Sequence, residues 1–287
     1  SKKRIERRAG DRDNARHLIH LYEEAGIDFL RDLNGLFAGV LADRRTGECF
    51  LFNDRFGIKR LFVHEDRSDV YFASRVGPLL AALPASREFD TSGLAEWLTC
   101  GCTLGERSLL RGISVLPGAS LWTFRMGERA SRRAYFVPSE WESRDRLNPR
   151  EFNESVESLF PRVLRRNACA DLSVGLSLTG GIDTRMVIAN LDTAAEQYRC
   201  YTFAGMGRDT FDVIIARRVA ELCRLRHDRI VLGEGFLQKF PELLEASVRL
   251  SGGYLGMSGA ASFYVNSLAR QIAPIRLTGN FGGEVFR

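Results

Sequence analysis

No run of apolar residues in this chain approaches the roughly 20 that a membrane-spanning helix needs, so no membrane partner is expected. Histidine is scarce, with four residues at 17, 20, 64 and 227. The six cysteines are scattered at 49, 100, 102, 169, 200 and 223, and only Cys100 and Cys102 lie close together. Neither type supplies the regularly spaced ligand set of a zinc site. A chain this large also has no need of disulfide staples, so the thiols are expected to be reduced. Lysine is nearly absent: of 41 basic residues only Lys2, Lys3, Lys59 and Lys239 are lysines. Outside the opening "SKKRIERR" the arginines come in ones and twos among acids, which reads as a solvated surface and not as a stripe for nucleic acid. No signal peptide precedes the first element, which makes the cytoplasm the expected location. The absence of an initiator methionine and the abrupt ending "GGEVFR" suggest a fragment of a longer protein.

What is present is ample for folding. With 287 residues, 45% of them hydrophobic, the chain has room for about two domains. Ala15, Leu18, Ile19 and Tyr22 follow the i, i+3, i+4, i+7 spacing of one helix face. Next come "GLFAGVLAD", "ECFLFND", "RLFVHED" and "DVYFAS", short aromatic and aliphatic stretches separated by turn-like segments, which predict an antiparallel meander. A short helix, a loop and one more hairpin follow. The polar, proline-punctuated "VPSEWESRDRLNPRE" marks a boundary, giving expected domains of 1–145 and 146–287.

Beyond it the rhythm changes. "LSVGLSL", "CYTFAG", "DRIVL" and "PIRLTG" are buried-strand candidates alternating with helix-length segments, as in "FDVIIARRVAELCRL", where Phe211, Ile215, Val219 and Leu222 fall on one face. Such alternation implies a doubly wound parallel α/β sheet. In the common strand order the first strand (172 to 178) neighbours the fourth (275 to 278), and the second and third lie to its other side. The loops "TGGID" and "TGNFGGE" would then flank one crevice. Glycines allow close approach to an anion, successive N–H groups form a nest, and the helix start adds positive potential. Thr179 and Thr184 could donate hydroxyl hydrogen bonds, and Asp183 could hold a Mg²⁺ against pyrophosphate oxygens. The plainer alternative is a tight strand-to-helix turn with Asp183 and Thr184 as caps. The motif is neither a Walker loop nor GxGxxG.

"LSLTGGIDTRMV" resembles the PP-loop, Ser-Gly-Gly-x-Asp-Ser, of ATP pyrophosphatases. With "LNGLFAGVLADRRTG", "NDRFGIKRLF" and "VYFAS" upstream, the chain resembles the glutamine-hydrolysing asparagine synthetase family almost from end to end. The resemblance implies a partial N-terminal-nucleophile (Ntn-type) antiparallel α+β glutaminase sandwich followed by a partial PP-loop synthetase domain. It implies ATP and Mg²⁺ as cofactors, with aspartate or another carboxylate and glutamine or ammonia as small-molecule partners, and a homodimeric assembly. Aspartate would be adenylated with release of pyrophosphate, and ammonia would displace AMP. Carried over by position, Leu178, Gly205, Thr278 and Gly279 would line the nucleotide, with Thr179, Gly180, Gly181, Asp183 and Thr184 on the pyrophosphate and Asp183 on the metal. Asn14 falls where the family binds the glutamine amine.

The chain also departs from the family pattern. The family's nucleophilic cysteine is missing; Ser1 is first, but its setting is charged and unlike a buried strand. Asn280 replaces an acid linked to acyl-adenylate formation and Gly283 replaces a metal-binding aspartate, whereas Glu284 remains as a candidate catalytic acid. A relative acting on another carboxylate, on a saccharide or peptide precursor, therefore stands as an alternative, as does a nucleotide-binding protein that has lost catalysis. Asp54, Arg55 and Gly57 read as a structural turn. Met186, Val187 and Ile188 read as helix packing.

Overall fold

The computed structural model describes residues 14–66, 69–83, 87–168, 173–191 and 197–280. Two units divide the chain, Ser1–Arg144 and Asp145–Arg287. Among the described residues no helix is long and apolar enough to cross a membrane.

The first unit opens with helix α1 (Asn14–Ala25) and a 3-10 turn, Gly26–Arg31. Strands β1 (Ala38–Asp43) and β2 (Glu48–Asn53) form one hairpin, β3 (Phe62–Glu65) and β4 (Val70–Ala73) another. Helices α2 (Val76–Ala82) and α3 (Thr91–Cys100) precede β5 (Ser114–Val115) and the hairpin of β6 (Ser120–Arg125) with β7 (Ser131–Ala134). All pairings are antiparallel, in two sheets ordered β1-β2-β6-β7 and β4-β3-β5.

The continuous meander expected for residues 35 to 74 is therefore not found. The reason lies in β2, which buries both faces. Phe50 and Phe52 pack with Leu21, Phe29 and Leu30 of the helical layer, while Leu51 packs with Val63, Leu116 and Trp122. A strand apolar on both sides needs two covering layers. The chain accordingly leaves the first sheet after β2 and builds the second over its other face.

The turn that redirects it is "NDRFGIK". Asn53 is fully buried; its Nδ2 donates to the Leu116 and Pro117 carbonyls, its Oδ1 accepts from Ser120 N, and its own carbonyl accepts from the Tyr135 hydroxyl at 2.7 Å. Burial pushes the Tyr135 phenol up to about 12. The Asp54 carboxylate accepts from the backbone N–H groups of Phe56, Ile58 and Lys59. Gly57 sits at φ 63°, and a Cβ there would lie 3.2 Å from Gly118 N. Asp54 and Gly57 thus serve the turn.

The second unit begins with α4 (Pro149–Asn167), held by a reciprocal capping box between Asn148 and Glu151. It continues through β8 (Val174–Ser177), α5 (Ile182–Ala189), β9 (Tyr198–Gly205), α6 (Phe211–Leu222), β10 (His227–Leu232), α7 (Glu234–Ser251), α8 (Met257–Ile272) and β11 (Ile275–Leu277). The sheet is parallel and ordered β10-β9-β8-β11, the doubly wound order expected. Val174, Leu176 and Leu178 pack on one face with Ile188, Ala216 and Ala220, whereas Tyr201 and Ile230 pack on the other with Val265 and Ala269.

Helix α6 presents only the middle of the face its large residues suggest: Ile215 and Val219 are half-buried, Val219 against the core. Phe211 and Leu222 are 77% and 70% exposed, and the fully buried ridge is Val213, Ala216 and Ala220. Small alanines let the helix approach the sheet closely, which outweighs the burial of two larger side chains at its ends.

Removing the Asp54 carboxylate strands three turn amides. Asp54→Ala is expected to destabilise the first unit by about 2–4 kcal/mol, measured as a drop in the urea midpoint. A loss below about 0.5 kcal/mol would show that the turn holds without it.

Candidate functional site in the parallel domain

The site sits at the carboxyl ends of β8 and β11, where the direction of strand succession reverses. Thr179, Gly180 and Gly181 link β8 to α5, and Gly181 is the residue before the helix. Across the crevice the chain leaves β11 through Thr278, Gly279 and Asn280.

The two loops are in contact. A Cβ on Gly279 would lie 2.7 Å from both the Asp183 carbonyl carbon and the Thr184 nitrogen. The second loop therefore lies backbone to backbone on the first turn of α5, which only glycine permits. Leu178, Thr184, Val187, Ile188, Thr278 and Gly279 line a small cavity between them. Asp183 is half-buried beside it.

Inside the first loop every amide has a partner. Thr179 N donates to Thr184 Oγ1 at 3.2 Å, Gly181 N to Thr179 Oγ1 at 3.1 Å, and Gly180 N to Asp212 Oδ1 at 2.9 Å. The Thr184 hydroxyl closes the turn from within, lying 3.2 Å from the Thr179 and Gly181 carbonyls. Gly180 is needed for packing as much as for an incoming anion, since a Cβ there would meet Asp212 Oδ1 at 2.9 Å and Ile215 Cδ1 at 3.3 Å.

Asp212 escaped the sequence reading. Its only signal was an acid in the first turn of α6, a position usually explained by the helix dipole. The loop that delivers it is tied by Asp209, which pairs with Arg217 at 2.6 Å and Arg229 at 3.1 Å, while Arg229 Nη2 also donates to the Gly205 carbonyl.

Beneath the loop runs a buried polar chain. The Thr202 hydroxyl, 2% exposed, donates to the Leu178 carbonyl at 2.7 Å and therefore accepts from His227 Nε2 at 2.9 Å. That arrangement fixes the tautomer with the proton on Nε2. Burial, with the charge of Arg217, lowers the His227 pKa and keeps the ring neutral.

The candidate residues are thus placed unevenly. Thr179, Gly180, Gly181, Asp183, Thr184, Thr278 and Gly279 come together. Leu178 ends β8 at the same place, but its side chain is 1% exposed and belongs to the core. Gly205 ends β9 with no atom within 4 Å of a built Cβ. Asn280 is exposed, its N–H 3.4 Å from Thr278 Oγ1. Gly283, Glu284 and Ser1 lie outside the described residues. Asn14 begins α1, outside this unit, and its side chain is likewise not described. Val187 and Ile188 are buried in helix packing, as expected.

Comparison with known proteins accords with this geometry. The glutamine amidotransferase domain model matches residues 6–136 and the asparagine synthase model residues 155–287. The chain belongs to the glutamine-hydrolysing asparagine synthetase family. It is 29% identical over 204 residues to asparagine synthetase [glutamine-hydrolyzing] 2 of Bacillus subtilis, covering 68% of this chain and 27% of that protein. It is 22% identical over 276 residues to a putative asparagine synthetase of Methanocaldococcus jannaschii, covering 94% and 52%. Amidase chry2 of Gibberella zeae is also similar, 27% identical over 227 residues, covering 71% and 32%. The chain spans between a quarter and about half the length of these family relatives.

The backbone contact at Gly279 gives a direct test. Gly279→Ala is expected to cost the second unit about 1–3 kcal/mol in urea unfolding, whereas Gly205→Ala, with open space around it, should change stability by less than about 0.5 kcal/mol. Equal effects would mean that the two loops are not pressed together.

Proposed function

We propose that the second unit adenylates a carboxylate with ATP, releasing pyrophosphate, and that the acyl-adenylate then yields an amide. Asparagine synthesis from aspartate is the leading reading. The contact of Gly279 with the start of α5 carries it, because it makes one crevice of two loops, each built from backbone amides and hydroxyls. In the reaction a carboxylate oxygen of the acceptor attacks the α-phosphorus, and the bond to the β-phosphate oxygen breaks. Ammonia, taken from glutamine, then attacks the acyl carbon and AMP leaves.

Charge accumulates on the departing pyrophosphate, and preorganised N–H groups stabilise such charge best when water is excluded. In this loop Gly180 N and Gly181 N, with the hydroxyls of Thr179 and Thr184, are the donors. They are already engaged with one another and with Asp212, so a pyrophosphate exchanges partners with them and does not meet bare amides.

Asp183 and Asp212 are the carboxylates that would hold Mg²⁺. Such an ion usually takes one or two carboxylates and completes its shell with phosphate oxygens and water. That fits a site where, among the described residues, no group of three or more histidine, cysteine or acidic side chains could hold a metal. The ion would neutralise charge on the leaving pyrophosphate.

A second reading, a different acceptor, is favoured by Asn280. An amide can orient a substrate by hydrogen bonds but cannot act as a carboxylate base. The similarity to amidase chry2 leans the same way.

ATP–pyrophosphate exchange tests both. Exchange driven by aspartate supports asparagine synthesis, exchange driven only by another acid supports the second reading, and ATP binding without exchange would leave a nucleotide-binding protein. Asp183→Ala is expected to lower exchange by about a hundredfold or more with an unchanged circular dichroism spectrum. Undiminished exchange would remove Asp183 from the mechanism.

A further inference from the structure

The Thr184 hydroxyl has one proton and three candidates for it. It lies 3.2 Å from the Thr179 carbonyl, the Gly181 carbonyl and Thr179 Oγ1, all within its own turn, and it lines the cavity beside Gly279. Each of these distances is longer than a well-made bond between hydroxyl and oxygen. The proton is therefore loosely held and free to turn towards an anion.

Its oxygen is fixed from behind. Thr184 Oγ1 accepts from Thr179 N at 3.2 Å. That N–H shares one rigid peptide plane with the Leu178 carbonyl, and in a trans peptide the two point in opposite directions. The carbonyl accepts from the Thr202 hydroxyl at 2.7 Å, and the Thr202 oxygen accepts from His227 Nε2 at 2.9 Å. From His227 to Thr184 the donors thus run head to tail: imidazole N–H to hydroxyl, hydroxyl to carbonyl, and the N–H of that same peptide to the second hydroxyl.

Two consequences follow from this order. A hydroxyl that accepts a hydrogen bond gives its own proton more readily, and a chain of such bonds polarises along its length where water is excluded. Thr202 is 2% exposed and Leu178 1%, so the middle of the chain is dry. Holding the carbonyl at one end of a peptide plane also stops the N–H at the other end from tilting, which keeps Thr184 Oγ1 in place while its proton changes partners. The His227 ring is half-buried on β10 and kept neutral by burial and the charge of Arg217, so it contributes a hydrogen bond and not a charge.

We propose that His227 is a positioning residue of the adenylation site, the first member of a relay through Thr202 and the Leu178–Thr179 peptide that aims the Thr184 hydroxyl at an oxygen of pyrophosphate. The bond from that hydroxyl strengthens as charge gathers on the departing group, so the relay acts on the leaving group and not on the acceptor acid. The proposal rests on the reading of the crevice as a pyrophosphate site, but the relay itself can be read without ligand.

The test uses the whole chain. Calorimetric titration with magnesium pyrophosphate and with ATP should find affinity lowered about five- to tenfold in His227→Leu and in Thr202→Val. Glutamine can place an N–H where Nε2 stands and asparagine only where Nδ1 stands, so His227→Gln should recover most of the loss and His227→Asn should not. Thr202→Ser should likewise recover most of the loss of Thr202→Val. In a Thr184→Val background, which lacks the last donor, His227→Leu should change affinity by less than about twofold, because members of one network are not additive. Val265→Ala, a core substitution in α8, supplies the comparison for lost stability and should lower the urea midpoint without changing affinity. Without ligand, NMR should find the His227 proton on Nε2, and hydrogen-exchange protection of the Thr179 N–H should fall about tenfold in Thr202→Val and His227→Leu and be kept in His227→Gln. Affinity indifferent to His227→Leu, equal losses with glutamine and asparagine, or a loss that adds in full to that of Thr184→Val would overturn the proposal. If the unaltered chain binds neither pyrophosphate nor ATP, the adenylation reading fails; lost protection at Thr179 then still supports the relay, and unchanged protection overturns it.

Discussion

The close approach of Gly279 to the first turn of α5 is the constraint on which the parallel domain's site depends. It follows from strand order: β11 joins the free side of β8, so the two loops leaving those strands emerge next to one another. Adjacency alone would leave a gap. The missing side chain at Gly279 closes it until backbone touches backbone, and a ligand entering the crevice meets main-chain groups whose positions are set by the sheet.

That rigidity extends downward. The Leu178 carbonyl is fixed by Thr202, and Thr202 by the neutral ring of His227 on the adjacent strand β10. The loop is fixed from the side by Asp212, whose own loop is tied to β10 through Asp209 and Arg229. Each amide the loop could offer a phosphate already holds a side-chain oxygen, so the ligand-free loop keeps its shape without water. Binding is then an exchange between acceptors of similar kind, and its selectivity depends on charge and metal more than on the raw count of hydrogen bonds.

Much of this was legible in the sequence, because strand-helix alternation and glycine pairs at strand ends are local patterns with few physical meanings. The strand order and the meeting of "TGGID" with the "TGN" that follows β11 could be read from them. What could not be read depends on surfaces that meet only in the fold. The split of the expected meander follows from β2 being apolar on both sides, which a short run does not distinguish from one-sided alternation. The buried ridge of α6 is built on alanines that no hydrophobicity pattern favours over Phe211 and Leu222. Asp212 matters through a partner 32 positions away, and an acid in a helix's first turn carries no sign of which amide it will find.

Two polar clusters in this chain differ in how completely their groups are paired. Asn53 and Asp54 are buried, and the Asn53 amide and both Asp54 carboxylate oxygens are paired with backbone groups. Such a network is complete, and its work is to hold a turn. Tyr201 is as deeply buried, and its hydroxyl lacks an aligned partner, whereas Arg276 beside it is exposed, so only part of that cluster carries a desolvation cost.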